Sequence, residues 1–491
     1  MSLVRQGVSL AFSKVLFFLL GYILTFYIAK LFGAEALGNY ILIYSILSVV
    51  ISFVPLGLKD GLMYKIPLYI NEKSFDEARS FFTISFILSI LIGVTLWILI
   101  IPFDDHIIQY FNLSIQNKPL LKWFSGIVLF EGVSLLISGG IRGFGDYKFF
   151  AIGTYVLNIF RLIALGFILI FPISNFPVEF TYFVAAVLTF LFYIYTCFKL
   201  QMFGKILKTT FVPFKKVLYL FFPIVITGFL LLLQSKIDRF ALGRYCSIKD
   251  IGVYSIAQAL AGLSSFFLII FNSIFAPKIS TYFANNNMKE LSEIYRISIK
   301  WLSFFNILFI SVMIFCGLGL LNFYGEEFQN GYKVLIIISV GQMINSITGV
   351  SGQLLNMIGM ANRITFFSLI SVVITLVLCY FFVPKYGIIG AGVAVSIALL
   401  VYNLLCIIFV KKHIGIHPFN REFLNQFISG IVCLIFFVII KLSFFDSSNF
   451  YISIMINTIF LFFYCLLQYL FFMKEEEKAI ILRFFKNKIG K

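Results

Sequence analysis

Six charged side chains fall inside or at the ends of long apolar runs, where an ionised group is costly. On membrane-insertion scales such a charge costs about 2.5–3.5 kcal/mol at the bilayer centre. Each therefore needs a partner, a water-filled cavity or a route to the interface, and these six are the candidate binding residues. They are Lys14, Glu131, Arg161, Lys236, Asp238 and Arg239.

Arg161 and Glu131 lie near the middle of neighbouring apolar runs. Counted from the predicted inner ends of these runs, the two differ by about three residues, or roughly 4.5 Å of helical rise. One interpretation is a buried ion pair. The other is that Arg161 faces a central cavity and attracts an anionic group, with Glu131 tuning it, because a guanidinium grips phosphate bidentately and keeps its charge. The sequence leaves both open.

The other four candidates lie near the ends of their runs. Lys14 is predicted either to snorkel to the inner surface or to line the inner mouth of the cavity. Lys236 and Arg239 are three residues apart and share a helix face, on either side of Asp238. Interfacial snorkelling and lining of the outer part of a cavity are both compatible with this spacing.

The runs themselves predict membrane-spanning helices. Apolar residues make up 61% of the 491 and charged residues 12%, against about 25% charged in soluble domains. The mean hydropathy is +1.02. The runs are continuous rather than alternating, which favours helices over barrel strands. We expect fourteen transmembrane helices in an all-α integral membrane protein, near residues 11–31, 40–58, 82–103, 119–140, 149–171, 179–200, 217–236, 251–275, 300–322, 333–356, 364–383, 388–410, 425–442 and 451–473.

The chain also repeats itself. Gly38-Asn39-Tyr40 recurs as Gly252-Val253-Tyr254, and Gly145 recurs as Gly359, both 214 residues apart. Six spans return the chain to its starting side, so the repeats are parallel, an architecture typical of transporters with a path between the halves. The predicted domains are a six-helix lobe over 1–210, a second over 211–415, and two further helices with a cytoplasmic tail over 416–491.

Loops at equivalent places in the two repeats have recurring signals. Ser74-x-x-Glu77 and Asn287-x-x-Glu290 predict capped interfacial helices in two inner loops. The outer turns 32–39 and 245–252 are interpreted as hairpin connectors or as parts of an outer gate. Pro172 and Pro384 are 212 residues apart.

The basic residues predict the orientation. The net charge is +17, and most of the 38 Lys and Arg residues fall in the predicted inner segments. Both termini are therefore expected in the cytoplasm, with attraction to anionic membrane lipids. The charges sit in short loops, which argues against nucleic-acid binding. The opening segment has no cleavage site of signal-peptide type, so the first helix is expected to remain.

Motifs for enzyme chemistry or cofactors are not found. The sequence contains no GxxxxGK[ST] phosphate loop, zinc-helix motif or serine-hydrolase elbow, and its seven cysteines have no metal spacing. Only Cys246 is predicted in an outer loop, which excludes a disulfide framework. No cofactor and no metal are expected, and a coupling ion, Na⁺ or H⁺, is left open.

Three stretches resemble a known family. They are residues 29–40, from Ala29 to Tyr40, residues 237–254, from Ile237 to Tyr254, and residues 275–280, Phe-Ala-Pro-Lys-Ile-Ser. With fourteen spans in a six-plus-six repeat, the chain resembles the polysaccharide flippases (O-antigen or capsule, Wzx-type) of the multidrug/oligosaccharidyl-lipid/polysaccharide exporter superfamily. Ala34-Glu35 stands where the family often has Pro before Gly.

The resemblance implies a bacterial inner-membrane flippase for undecaprenyl-diphosphate-linked oligosaccharide, not an enzyme. It implies a cationic central cavity that opens alternately to each side, and polysaccharide assembly proteins as partners. Asp238 and Arg239 match the family's Asp-Arg at the end of the seventh span, Arg161 matches a basic residue of the fifth, and Lys14 is a looser match. Two alternatives stay open: an ion-coupled multidrug antiporter of the same superfamily, and a membrane polysaccharide polymerase or glycosyltransferase.

Overall fold

Helices are the only regular elements in the described part of the chain. The computed structural model describes all residues except 1–2, 112, 114–117, 171–177, 208–225, 227, 446–448, 474, 476 and 479–491. Short 3-10 segments cover Ile101–Phe103 and Glu326–Gly331. The α-helices are α1 Leu3–Ile51, α2 Leu58–Asn71, α3 Phe75–Ile100, α4 Asp104–Tyr110, α5 Lys118–Phe124, α6 Ile127–Gly143, α7 Tyr147–Ile170, α8 Val178–Lys199, α9 Ile237–Tyr245, α10 Ile248–Gly262, α11 Ser265–Ala284, α12 Met288–Tyr324, α13 Tyr332–Thr348, α14 Val350–Met357, α15 Ala361–Ile414, α16 Arg421–Phe444 and α17 Phe450–Phe471.

Eleven helices in the described residues are long and apolar enough to cross a membrane, so the chain is a multi-pass membrane protein. Two of them each contain two predicted spans: α1 is broken at Gly33 (φ 80°) and α15 at Gly387 (φ 55°). Half of the predicted span 217–236 lies outside the described residues. The count of fourteen and the cytoplasmic termini stay predictions.

The inner-loop helices differ from the expectation. The residues after Ser74 and Asn287 do not form separate helices, because α3 and α12 run without a break from their first residue into the predicted span. Asn287 caps α12, its side-chain oxygen accepting the Glu290 backbone N–H at 3.3 Å, whereas Ser74 makes no side-chain cap at α3. The separate short helix is instead α2, in the preceding connection.

The repeat is visible in the backbone angles. Gly145 and Gly359 have φ of +83° and +84°, and Lys73 and Asn286 have φ of +59° and +54°. A left-handed backbone conformation is rare for residues other than glycine and asparagine. Its occurrence at equivalent positions shows that the turns before α3 and α12, and those before α7 and α15, have the same shape. Pro172 lies outside the described residues.

The chain packs as two compact units. One comprises Met1–Ser255 and Cys379–Ile388, and the other comprises Ile256–Leu378 and Ile389–Lys491. These units follow packing, whereas the boundaries near 210 and 415 follow the sequence repeat, so the repeat-based domains stay a prediction.

In the first unit α6 is the central helix, packing against α2, α3 and α8. Its small residues allow this. A Cβ atom at Gly132 would lie 2.5 Å from the Cβ of Val54, and one at Gly139 would lie 2.6 Å from the Lys59 carbonyl oxygen. Small residues at helix interfaces let backbones approach closely in membranes. The same close packing holds Glu131, the residue before Gly132, inside the unit.

A second close approach joins the two copies of the repeat within the first unit. A Cβ on Gly38 would lie 2.0 Å from the Ile248 carbonyl oxygen, and one on Gly252 would lie 2.0 Å from the Ala34 carbonyl oxygen. The partners are themselves equivalent, since residues 34 and 248 are 214 apart. Both glycines lie inside helices, α1 and α10, rather than in hairpin turns. Only glycine fits this crossing of the two helices.

In the second unit α12 packs against α11, α13, α16 and α17. Polar residues also join helices of this unit, including α15. The Ser264 hydroxyl donates to Asn306 Oδ1 at 2.5 Å, the Ser265 hydroxyl donates to Gln342 Oε1 at 3.1 Å, and Asn403 Nδ2 donates to Asn345 Oδ1 at 3.0 Å. Interhelical hydrogen bonds therefore account for Asn306, Gln342 and Asn345.

Candidate functional site

Arg161 lies on α7 in the first unit, with only 7% of its surface exposed. Its guanidinium lies over two aromatic rings, 5.0 Å from the centroid of Tyr40 and 4.4 Å from that of Tyr182. Two of its nitrogens, Nε and Nη2, have no hydrogen-bond partner among the described residues. A buried guanidinium is therefore held by ring faces while part of its donor fork stays available.

Helix packing places this side chain. α7 packs against α1 and α8, which bring Tyr40 and Tyr182 to either side of Arg161. One turn before Arg161, Asn158 Nδ2 donates to the Phe17 carbonyl at 3.0 Å and ties α7 to the first half of α1. Since Asn158 and Arg161 are three residues apart, fixing one orients the other on the same helix face.

Glu131, on α6, is partly buried and fully engaged by tyrosines. The Tyr44 hydroxyl donates to its Oε1 at 3.1 Å, and the Tyr182 hydroxyl donates to its Oε2 at 2.7 Å. Each carboxylate oxygen thus accepts a hydrogen bond from a neutral donor. Charge-assisted bonds of this kind are roughly twice as strong as neutral ones, which explains how the carboxylate is kept inside the unit.

No direct ion pair joins Arg161 and Glu131 in the described residues. Tyr182 lies between them, with its ring under the guanidinium and its hydroxyl on the carboxylate. The buried ion pair, one of the two interpretations left open by the sequence, is therefore not the arrangement in this structure. The alternative, an arginine available to an anionic ligand, is compatible with the geometry.

Lys236, just before α9, is the third charge of the cluster. Its Nζ lies 5.4 Å from the centroid of the Tyr44 ring. The three tyrosines also contact one another: Tyr40 stacks on Tyr44 at 6.0 Å, and Tyr44 lies 4.9 Å from Tyr182. We call Tyr40, Tyr44, Tyr182, Glu131, Arg161 and Lys236 the tyrosine cluster. It holds two cations around one carboxylate.

Asp238 and Arg239 have local partners instead. Asp238 is 1% exposed, and its Oδ2 accepts the Tyr254 hydroxyl at 2.8 Å. Arg239 Nη1 donates to the Ser235 carbonyl at 2.9 Å, one turn back. These bonds tie the start of α9 to α10 and to its own preceding turn. The side chain of Lys14 lies outside the described residues.

The tyrosines were not among the predicted site residues. Tyr40 and Tyr44 are four apart and so share one helix face, a signal that the sequence does contain. Nothing in the spacing links them to Tyr182, about 140 residues later. A second carboxylate, Glu179, was also missed; it is 3% exposed, and its Oε1 accepts Asn39 Nδ2 at 2.9 Å.

The arrangement fits recognition of an anion. A guanidinium with unused N–H groups in a poorly solvated site binds an oxyanion more strongly than one in water. Among the described residues, no group of three His, Cys, Asp or Glu side chains is placed to hold a metal ion.

Comparison with known proteins finds flippases and a transporter among the proteins that this chain resembles. The chain is 26% identical over 186 residues to a probable low-salt glycan biosynthesis flippase of Haloferax volcanii, covering 37% of this chain and 39% of the relative. Its fold is similar to that of the lipid II flippase MurJ in an inward closed conformation, with a TM-score of 0.73, 20% identity, and 95% and 99% of the two chains covered. A multidrug resistance MATE family transporter of the MOP superfamily, inward-facing, gives a TM-score of 0.67 at 15% identity, over 84% and 95% of the chains.

The family match follows the repeat. The MatE family matches residues 9–169 and again 223–381, two segments that begin 214 residues apart. This confirms the expected superfamily, whose members are transporters rather than enzymes. With matches over more than half of its length, the chain belongs to the MatE family.

Proposed function

We propose that this protein is a flippase that moves an oligosaccharide linked to a polyprenyl diphosphate, such as undecaprenyl diphosphate, from the cytoplasmic leaflet of the cytoplasmic membrane to the outer leaflet. The observation that carries the proposal is the buried Arg161 guanidinium with two nitrogens that have no partner among the described residues. The name of the Haloferax volcanii relative and the MurJ fold support a lipid-linked glycan as cargo.

The physical problem is the headgroup. A diphosphate and a sugar chain cannot cross hydrocarbon unaided, since desolvating ionised groups is far too costly. Arg161 offers a bidentate contact to one phosphate, and Lys236, beside the Tyr44 ring, offers a second positive charge. The polyprenyl tail stays in the lipid while the headgroup passes through a wet, cationic cavity that opens to each side in turn.

The rival function is an ion-coupled multidrug antiporter. Its support is the likeness to a multidrug transporter fold. Such a protein needs an available carboxylate to attract cationic drugs. Here both oxygens of Glu131 already accept hydrogen bonds from tyrosines, and two cations stand nearby. The local charge therefore favours an anionic cargo.

The test is a flipping assay in proteoliposomes. A fluorescent polyprenyl-diphosphate disaccharide is placed in both leaflets, and an impermeant reductant reports how fast the inner pool becomes accessible. We expect Arg161→Ala to slow flipping at least about tenfold, since a hydrogen bond to a charged group is worth about 1.5–3 kcal/mol. Arg161→Lys keeps the charge but loses the fork, so it should be intermediate.

Arg142→Ala is the matched control. Arg142 is an exposed arginine in the last turn of α6, where its guanidinium lies 5.5 Å from the centroid of the Phe150 ring, outside the tyrosine cluster. It should flip at the wild-type rate. Equal rates for wild type and Arg161→Ala would overturn the proposal, as would export of cationic drugs on a Na⁺ or H⁺ gradient without any flipping of the lipid.

A further inference from the structure

We infer that Tyr44 and Tyr182 are positioning residues that hold Glu131 away from Arg161 and so keep the guanidinium open for the diphosphate of the cargo. This inference rests on the proposed function and names how the same site is kept ready. It assigns Glu131 the part of a restrained competitor for Arg161, rather than a ligand of the cargo.

Tyr182 contacts both charged residues, Glu131 through its hydroxyl and Arg161 through its ring face. The Tyr182 hydroxyl donates to Glu131 Oε2 at 2.7 Å, and the face of the same ring lies 4.4 Å from the Arg161 guanidinium. Tyr44 occupies the other carboxylate oxygen at 3.1 Å. Arg161 meanwhile keeps Nε and Nη2 without partners among the described residues, although it is buried.

Electrostatics makes this arrangement informative. A carboxylate and a guanidinium inside a membrane protein attract each other strongly, and their natural geometry is a bidentate pair. Such a pair would occupy the fork that a phosphate needs. The two hydroxyl donors satisfy both oxygens of Glu131 without Arg161, and they hold the carboxylate away from the guanidinium. Removing a hydroxyl leaves one carboxylate oxygen without its donor, which favours rotation of Glu131 towards Arg161.

If Tyr182 positions Glu131, one substitution should weaken diphosphate binding and a second should restore it. Tyr182→Phe removes no charge and keeps the ring, yet it should weaken binding of a diphosphate about tenfold, because Glu131 then competes for the guanidinium. Adding Glu131→Gln should restore binding, since a neutral amide competes poorly. Glu131→Gln alone should bind as tightly as wild type or more tightly. Simple structural damage from Tyr182→Phe would not be repaired by a second substitution.

The experiment measures farnesyl diphosphate binding to the purified full-length protein by calorimetry, with elution on size exclusion as the check of folding. Tyr193→Phe is the matched control. Tyr193 is a buried tyrosine on the same helix, α8, and its hydroxyl lies against Gly153, away from Glu131. It should leave the dissociation constant unchanged.

The outcomes separate the two claims. If wild type binds, Arg161→Ala does not, and Tyr182→Phe binds like wild type, the positioning inference fails while the proposed function stands. The same holds if Glu131→Gln alone weakens binding, because Glu131 would then be a contributor. If wild type does not bind the probe, or binds it independently of Arg161, both claims fall.

Discussion

Arg161 shows how a membrane protein can keep a cation buried without neutralising it. Two tyrosine rings, at 5.0 and 4.4 Å, supply negative faces in place of a counter-ion. A carboxylate partner would cancel the charge and occupy the N–H groups, whereas a ring face leaves the edge of the guanidinium open. The aromatic neighbours therefore preserve the very property that an anion-binding site requires.

The ring of Tyr40, rather than its hydroxyl, should matter. Tyr40→Phe keeps the face over Arg161, so thermal stability and diphosphate binding should stay close to wild type. Tyr40→Leu removes a cation–π contact worth about 0.5–2 kcal/mol and should lower both. Melting of the detergent-solubilised protein, followed by tryptophan fluorescence, and calorimetric binding measure the two effects. A Phe variant as impaired as the Leu variant would show that the hydroxyl is the important group.

At the scale of single residues, the sequence identifies the buried charges but not the residues that contact them. The cost of an ionised group in hydrocarbon singles out Arg161 and Glu131 from their positions within apolar runs. It does not reveal that Tyr182 separates them, because contacts between distant segments depend on how α6, α7 and α8 pack. Asp238 illustrates the same limit: it resembles a cavity residue by position, yet it accepts a hydrogen bond from Tyr254.

Among the helices, the crossing of α1 and α10 is tightly constrained. Gly38 and Gly252 each face a backbone carbonyl of the other helix, at a distance that leaves no room for a methyl group. Backbone carbonyls cannot move aside as side-chain tips can. These two glycines therefore set the separation of the helices.

Adding a methyl group at this crossing should destabilise the fold. Gly38→Ala and Gly252→Ala should each lower the free energy of unfolding by at least about 1–3 kcal/mol, the usual cost of overpacking, and should lower the melting temperature. Gly166→Ala on α7 is the control, because a Cβ there meets nothing within 4 Å, and it should be neutral or gain up to about 1 kcal/mol. Similar melting temperatures for all three variants would contradict the close contact.

Hydropathy predicts where helices cross the membrane, but it does not predict where they break. The runs near 11–31 and 40–58 look like two helices joined by a turn, and the structure joins them into one element with a single non-helical residue, Gly33. The interfacial helices expected after Ser74 and Asn287 likewise run on into their spans. An amphipathic segment followed by an apolar segment has the same hydropathy pattern whether the two form one continuous helix or two helices.

For the whole molecule, the distribution of Lys and Arg predicts which ends and loops face the cytoplasm. The turn between α9 and α10 is expected on the outer side, and it contains Cys246, which is partly buried. Burial, together with the nearby Asp250 carboxylate, raises the pKa of the Cys246 thiol to about 11. The predicted topology makes this cysteine accessible from outside. Its reaction with thiol reagents should be slow at neutral pH, because only the thiolate reacts readily.

Labelling with an impermeant maleimide tests the orientation. Right-side-out vesicles should be labelled at Cys246, with a rate that rises about tenfold per pH unit from pH 7 to 9, because the thiolate fraction grows below the pKa. Cys246→Ser vesicles give the background. Labelling confined to inside-out vesicles would reverse the predicted topology.

The glycine crossing has a consequence for what the two copies of the repeat must each preserve. The Gly38–Ile248 and Gly252–Ala34 approaches are one contact made twice with the roles exchanged, which is the signature of an isologous, self-complementary surface. In a dimer of two identical half-length chains, a single glycine codon would be enough for both approaches. In this single chain the two approaches use two separate codons, so Gly38 and Gly252 must each be kept as glycine.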